Sequence, residues 1–147
     1  MVSDAAPTSD VDAQFSVQYA CAMALIGLSP GREWYDPQVI ADPRVAGLSS
    51  KSSVEIDPVA EKEFWERRHF YTSTATISLT TGDVYTSTAD FAPGHWQRPM
   101  QEGDVIKKFL ANLGGTSLQR CSQEFLDVIM RVDEAPSLNR LCHLLFL

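Results

Sequence analysis

Apolar residues dominate the first long segment of the chain, and nearly every position in Ala13–Ile26 is apolar. Phe15 and Tyr19 fall on one face of a helix through this segment, and small apolar residues occupy most of the remaining surface. A helix that is apolar nearly all round is typical of a buried element. Asp12 is placed to cap its first turn, and Gly27 is placed to end it. The pattern therefore predicts a buried helix over Ala13–Ile26.

Two prolines divide the next segment, Trp34–Ser50, into short pieces. Each proline follows an aspartate, in Asp36-Pro37 and in Asp42-Pro43. Aspartate at the cap and proline at the first helical position are a signal for the start of a helix, so two short helical turns are expected. After them we expect a strand over Ser53–Ile56 and a loop or helical turn over Val59–His69.

A strict alternation of apolar and polar residues marks the segment Thr74–Thr80. Its apolar side chains would point to one face and its threonine and serine hydroxyls to the other, which is the pattern of a half-buried strand. Thr81-Gly82-Asp83 is a turn signal, and Val84–Phe91 is again rich in β-branched and aromatic residues. Together these segments predict a β-hairpin.

Helical periods return in the last third of the chain. They predict one helix over about Gly103–Leu113, a second over Leu118–Val132 and a short last helix that begins at Ser137. Strands that are separated along the chain from helices indicate an α+β fold, here a small antiparallel sheet of about three strands covered by helices. We expect residues 1–11 to form a disordered lead-in and residues 12–147 to form a single domain.

Composition and charge restrict the classes of partner. The 147 residues carry a formal net charge of −7, which disfavours binding to nucleic acid and to anionic membranes. The three cysteines show no metal-ligand spacing, so neither a metal nor another cofactor is expected. The first residues lack a basic segment followed by an apolar one, and the apolar run Tyr19–Leu28 is too short to span a bilayer. A soluble, cytoplasmic protein is predicted.

The segment Phe91–Met100 carries the clearest candidate chemistry. Gly94 permits close approach by a ligand, and His95 and Arg98 present an imidazole and a guanidinium on one proline-stiffened loop. Such a loop can hold a carboxylate through arginine, with histidine as a second donor or as an acid or base, and Gln97 adds an amide. The alternative interpretation is a structural turn in which His95 only bonds the backbone.

Tyr19 is the second candidate, because a phenol can donate a proton or a hydrogen bond at a site. An aromatic residue at helical spacing is more often part of a core, so both interpretations stay open at this point. No Ser/His/Asp order, phosphate-binding loop or dinucleotide fingerprint is present in the sequence.

Several segments, taken in order, resemble the C-terminal domain of the MmgE/PrpD family, which includes 2-methylcitrate dehydratases and cis-aconitate decarboxylases. The segments are Phe15–Leu25, similar to the entry helix of that domain, Asp42-Pro43-Arg44-Val45, the hairpin around Thr81-Gly82-Asp83, and Gly94–Met100 followed by a helix bearing Lys108-Phe109. The resemblance covers about Asp12–Leu113. The Gln18-Tyr19 pair and the Gly-His-Trp sequence are most similar to cis-aconitate decarboxylases.

The resemblance implies a lid domain. Members of the family have a large N-terminal helical domain, which is absent from this chain, and the active site lies between that domain and the lid. By resemblance, Tyr19 and His95 would be the catalytic contributions of the lid, and Gly94, Gln97 and Arg98 would lie around a bound substrate. The implied partners are a small carboxylic acid and either further copies of this chain or a separate helical-domain chain.

The implied function is that of a carbon–carbon lyase, which decarboxylates aconitate-like or alkylaconitate-like tricarboxylic acids. Such a reaction belongs to the formation of itaconate-like products, in a specialised pathway of secondary metabolite biosynthesis. Three alternatives remain open at this stage. They are a carbon–oxygen lyase similar to 2-methylcitrate dehydratase, a non-catalytic lid-like binding module, and a repurposed isomerase or cyclase.

Overall fold

A computed structural model describes residues 4–67 and 72–146, and it confirms the α+β class. The described residues divide into two compact units, one formed by Met1–Ser53 with Glu102–Leu147 and the other by Val54–Gln101. The larger unit is helical, and the smaller unit contains the antiparallel sheet. The predicted boundary between a lead-in and a single domain stays a prediction.

The larger unit begins with four α-helices and one 3₁₀-helix. They are α1 Asp10–Phe15, α2 Val17–Ile26, the 3₁₀-helix Arg32–Tyr35, α3 Pro37–Ile40 and α4 Pro43–Ser49. The smaller unit follows, with α5 Pro58–Arg67, β1 Ser73–Ser78 and β2 Val84–Ala89. The chain then returns to the larger unit with α6 Glu102–Leu113, the 3₁₀-helix Ser117–Cys121, α7 Ser122–Ile129, the 3₁₀-helix Val132–Glu134 and α8 Asn139–Leu145.

Ser16 divides the helix that the sequence predicts over Ala13–Ile26. Its backbone is extended, with φ −88° and ψ 113°, and its hydroxyl accepts a hydrogen bond from the Tyr19 amide at 3.0 Å. Ser16 therefore ends α1 and caps α2. The predicted cap at Asp12 is wrong, because Asp12 lies inside α1 and the Ser9 hydroxyl accepts from its amide at 3.1 Å.

The core of the larger unit forms where α2 packs against α4. Its buried residues are Ala13, Tyr19, Ala22, Met23, Trp34 and Val45. The prediction that the whole surface of this helix is buried is wrong in the described chain. Phe15 is 62% exposed and Leu25 is 49% exposed, so one side of α1 and α2 presents apolar side chains without cover from the described residues.

The two Asp-Pro signals are confirmed as helix starts. The Asp36 carboxylate accepts from the Gln38 amide at 2.9 Å at the start of α3. The Asp42 carboxylate accepts from the Arg44 amide at 2.8 Å at the start of α4 and also pairs with the Arg44 guanidinium at 2.6 Å. These caps satisfy amides that have no partner within their own helix.

The hairpin is confirmed in the smaller unit, with β1 paired to β2 in antiparallel register. Threonine hydroxyls bond across one face, between Thr74 and Thr88 at 2.9 Å and between Thr76 and Thr86 at 3.2 Å. Gly82 at the turn has φ +95°, a conformation that glycine adopts at low cost.

Three features of the smaller unit depart from the sequence predictions. Ser53–Ile56 forms no strand, so the described sheet has two strands rather than three. Every residue of β1 and β2 is exposed, so the first strand is not half-buried. Val59–His69 is helical as α5 up to Arg67, and its last two residues lie outside the described part of the chain.

The C-terminal helices pack within the larger unit. Helix α6 begins at Glu102, close to the predicted start, and the Phe109 ring stacks on Phe125 of α7 at 5.6 Å between centroids. The predicted helix over Leu118–Val132 is divided, because α7 is flanked by two short 3₁₀-helices. Helix α8 begins at Asn139 with Leu138 at the cap position rather than Ser137.

Candidate active-site loop

The loop Phe91–Met100 is a closed turn rather than regular structure. Gly94 has φ +94°, and its amide donates to the Arg98 carbonyl at 2.9 Å. The Arg98 amide donates back to the His95 carbonyl at 2.8 Å, so the backbone bonds itself across the turn. A Cβ at position 94 would lie 3.7 Å from the Met100 sulfur. Glycine is therefore favoured at position 94 mainly by its positive φ.

His95 is held from two directions within this loop. Its ring stacks on the Phe91 ring, with centroids 4.5 Å apart and planes at 17°. Its Nδ1 atom accepts a hydrogen bond from the Gln97 amide at 3.2 Å. Half-buried His95 therefore has one nitrogen bonded inside the turn, and its Nε2 atom is the nitrogen left for a ligand.

Arg98 is exposed, and it contacts Phe91, the residue on which the His95 imidazole stacks. Its Nη1 donates to the Phe91 carbonyl at 3.0 Å, which fixes the direction of the guanidinium. Within the described residues, no acceptor bonds the Nε or Nη2 groups of Arg98. Those two groups form the edge that can bind a carboxylate in bidentate fashion.

The structure brings together four of the five predicted site residues, because Gly94, His95, Gln97 and Arg98 all belong to one turn. Sequence reasoning missed Phe91 as a site residue, although it contacts both the imidazole and the guanidinium. The sequence indicates Phe91 only as the boundary between the second strand and this loop. The available signal was an aromatic residue four positions before the histidine. A loop has no regular period, so this spacing does not predict that the two side chains are in contact.

Trp96 is the second aromatic residue that the sequence reasoning did not assign. Its indole is 73% exposed and lies 5.7 Å from the His95 ring between centroids. An exposed, flat apolar surface next to a polar group is suited to contact with a ligand.

Tyr19, the fifth predicted residue, lies in the larger unit and is 1% exposed. Its hydroxyl donates to the Trp34 carbonyl. Burial raises the pKa of Tyr19, and the nearby Tyr35 phenol raises it further by Coulomb repulsion. These contacts give Tyr19 a place in the core, and its role at a site stays a prediction.

An apolar groove of about 340 Å³ follows the exposed side of α1 and α2. Its lining residues are Gln14, Phe15, Ser16, Val17, Ala20, Cys21 and Ala24. The opposite side of α2, with Tyr19, Ala22 and Met23, belongs to the core. A groove of this composition is typical of a surface that packs against another protein segment.

Among residues 4–67 and 72–146, no group of three or more histidine, cysteine, aspartate or glutamate side chains is arranged to hold a metal ion. In the same part of the chain, no helix is both long enough and apolar enough to cross a membrane.

Comparison with known proteins adds evidence from sequence. The family model described as the MmgE/PrpD C-terminal domain matches residues 1–134. Human cis-aconitate decarboxylase is 33% identical over 107 residues, which cover 72% of this chain and 21% of the human protein. Mouse cis-aconitate decarboxylase is 25% identical over 139 residues, which cover 95% of this chain and 28% of the mouse protein. The chain therefore matches less than a third of either relative.

Proposed function

This chain belongs to the MmgE/PrpD family through its C-terminal domain, and from that premise we propose that it supplies the lid side of a decarboxylase site for an aconitate-like acid. The family and the similarity to two decarboxylases make the chain a relative of lyases. We propose that the reaction is decarboxylation of a tricarboxylic acid and that it takes place in the cytoplasm.

One observation carries the proposal. The Phe91–Met100 loop presents the Nε2 atom of His95 and the free edge of Arg98 from one rigid turn, and both side chains are fixed by Phe91. A cation that can bind a carboxylate and a hydrogen-bond donor beside it are groups that a site for a carboxylate substrate needs.

The chemistry assigns a different task to each group. Breaking the bond to the departing carboxylate releases CO2 and leaves its electron pair on carbon, where a remaining conjugated carboxylate delocalises it. Arg98 would bind that carboxylate and stabilise the negative charge, with the Gln97 amide as a further donor. His95 would donate a hydrogen bond from Nε2 to the substrate, and a separate acid would deliver the proton that the carbon takes up, which completes the reaction without a cofactor. Gly94 leaves room for the substrate beside the backbone.

Tyr19 enters the proposal as a further acid or hydrogen-bond donor. Its hydroxyl already donates to Trp34, so it would have to exchange that bond for one to the substrate. A raised pKa keeps the phenol protonated at neutral pH, which is the form that can donate.

The loop supplies few groups, and we propose that a second body completes the site. A tricarboxylate carries several negative charges, whereas this chain carries a net charge of −7. The match covers 21% of the human relative and 28% of the mouse relative, and the second body that we propose is a helical domain rather than a second copy of this one. The apolar groove on α1 and α2 is the surface proposed to receive it.

The same groove favours a second candidate function, a lid-like module that binds a partner without catalysis. Substitution of His95 distinguishes the two candidates, because only the decarboxylase requires His95 for turnover.

The test is CO2 release from cis-aconitate by this chain alone and by the chain co-expressed with the part of the human decarboxylase that it does not match. We expect release from the co-expressed pair, a loss of at least about 100-fold with His95→Asn, and no loss with the matched control His143→Asn on α8. Binding to the partner without CO2 release would support the non-catalytic module and contradict the decarboxylase. Water release from 2-methylcitrate in place of CO2 release would favour the dehydratase.

A further inference from the structure

The groups around His95 determine more than its position. A neutral imidazole has one nitrogen that carries a proton and one that carries a lone pair. Because Nδ1 accepts from the Gln97 amide, the lone pair lies on Nδ1 and the proton lies on Nε2. An imidazole with the proton on Nδ1 would set two N–H groups against each other at this contact.

The stack on Phe91 fixes the second degree of freedom, the plane of the ring. With the planes at 17° and the centroids 4.5 Å apart, rotation about the Cβ–Cγ bond would move the imidazole off the phenyl face. The Phe91 backbone is in turn tied to the far side of the turn, because its carbonyl accepts from Arg98 Nη1 at 3.0 Å. The ring, the amide and the guanidinium thus form one connected set.

We propose that Phe91 and the backbone amide of Gln97 are positioning groups that hold His95 as a single neutral tautomer, with Nε2–H directed to the ligand. The catalytic role of His95 in this state rests on the proposed function. The tautomer identifies Nε2 as the atom that would contact the substrate. The tautomer itself is a property of the chain and is measurable without turnover.

The measurement is a two-bond ¹H–¹⁵N correlation spectrum of the ¹⁵N-labelled full chain at about pH 8, above the titration range of free histidine. His95→Asn identifies the His95 signals, and the exposed His143 serves as the internal reference for an unrestrained ring. We expect the ratio of Nε2–H to Nδ1–H tautomer at His95 to exceed that at His143 about fivefold, the factor that one net hydrogen bond supplies.

Two pairs of variants separate the positioning groups from general effects on the loop. Gln97→Pro deletes the amide N–H and should return the ratio to that of His143, whereas Gln97→Ala keeps the amide and should leave the ratio unchanged. Phe91→Leu removes the stacked ring and should move the His95 ring-proton signals toward those of His143, whereas Phe91→Tyr should preserve their positions.

Equal tautomer ratios at His95 and His143 in the unmodified chain would overturn the proposal. So would an unchanged ratio in Gln97→Pro together with unchanged ring signals in Phe91→Leu. If Gln97→Pro disturbs the signals of the β1–β2 hairpin, the unmodified chain and the Phe91 pair still decide the outcome. A restrained tautomer without CO2 release would support this inference and contradict the decarboxylase, so the two failures are distinguishable.

Discussion

At the scale of single residues, Tyr19 shows how a candidate site residue also contributes to the core. Its ring is buried between α2 and the segment that carries Trp34, and its hydroxyl donates to the Trp34 carbonyl. Tyr19→Phe keeps the ring and removes the hydroxyl, which leaves that carbonyl without the bond. We expect a loss of about 1 kcal/mol in the free energy of unfolding near pH 7, measured by urea denaturation.

Tyr19 also predicts a dependence of stability on alkaline pH. Its pKa is raised in the folded state, so the folded chain holds this proton more tightly than the unfolded chain, whose tyrosine titrates near pH 10. The contribution is therefore complete below about pH 10 and is lost as pH rises through the folded pKa. Urea denaturation at about pH 8 and pH 11 should show a smaller alkaline loss in Tyr19→Phe than in the unmodified chain. Equal losses would contradict this assignment.

The sequence predicted a stiff loop that carries His95 and Arg98 but not the contacts that fix these two side chains. Glycine, proline and histidine in one short segment are sufficient to indicate a stiff loop with a titratable group. The contact of Phe91 with both side chains depends on dihedral angles that no period describes. For Tyr19 the pattern left two interpretations, since burial depends on what packs against the helix rather than on the helix alone.

At the scale of secondary structure, Ser16 is the residue that sets the N-terminal architecture. Its side chain is buried and accepts from the Tyr19 amide, so it caps α2 at the point where α1 ends. Ser16→Ala should lower the free energy of unfolding by about 1 kcal/mol in urea denaturation, because the amide loses its acceptor. Ser16→Gly is the matched comparison and should lower the free energy of unfolding by only a few tenths of about 1 kcal/mol. A larger loss for glycine than for alanine would contradict a capping role.

Elements with a local signal were predicted well, and elements that depend on distant partners were not. The caps Asp36 and Asp42 act within their own helices, so their signals could be read from the sequence. The hairpin also has its turn and both strands adjacent along the chain. A strand over Ser53–Ile56 would need a partner from elsewhere, and the alternating Ser-Val-Glu-Ile sequence does not specify one.

At the scale of the molecule, the groove on α1 and α2 is one apolar surface that the described residues leave uncovered. Phe15 lines it, whereas Val11 is a similarly exposed apolar residue on α1 that does not. Phe15→Lys should lower co-purification with the helical-domain partner about tenfold, while Val11→Lys should not. Both variants should retain their stability within about 0.5 kcal/mol, because both side chains are exposed. Equal effects of the two variants on co-purification would place the interface elsewhere.

Exposed apolar surface on this domain is in line with the proposal that it packs against a partner. The sequence predicted that the helix of Tyr19 is apolar on all sides, and among the described residues its cover comes from the side that packs with Val45 of α4 and with Trp34. The domain match extends over residues 1–134, and both relatives are several times longer than the matched region. A domain of a larger protein retains the surface by which it packs against the remainder.

We propose that the Phe91–Met100 loop binds a carboxylate substrate, and a titration of the ¹⁵N-labelled chain with cis-aconitate tests this binding. We predict saturable shifts of the amide signals of Gly94, Gln97 and Arg98, at constant ionic strength maintained with chloride. Arg98→Lys should weaken the binding about tenfold, since lysine cannot offer the planar pair of donors, and Arg131→Lys should leave it unchanged. Absence of saturable shifts in the loop, or equal affinity in Arg98→Lys, would contradict the claim.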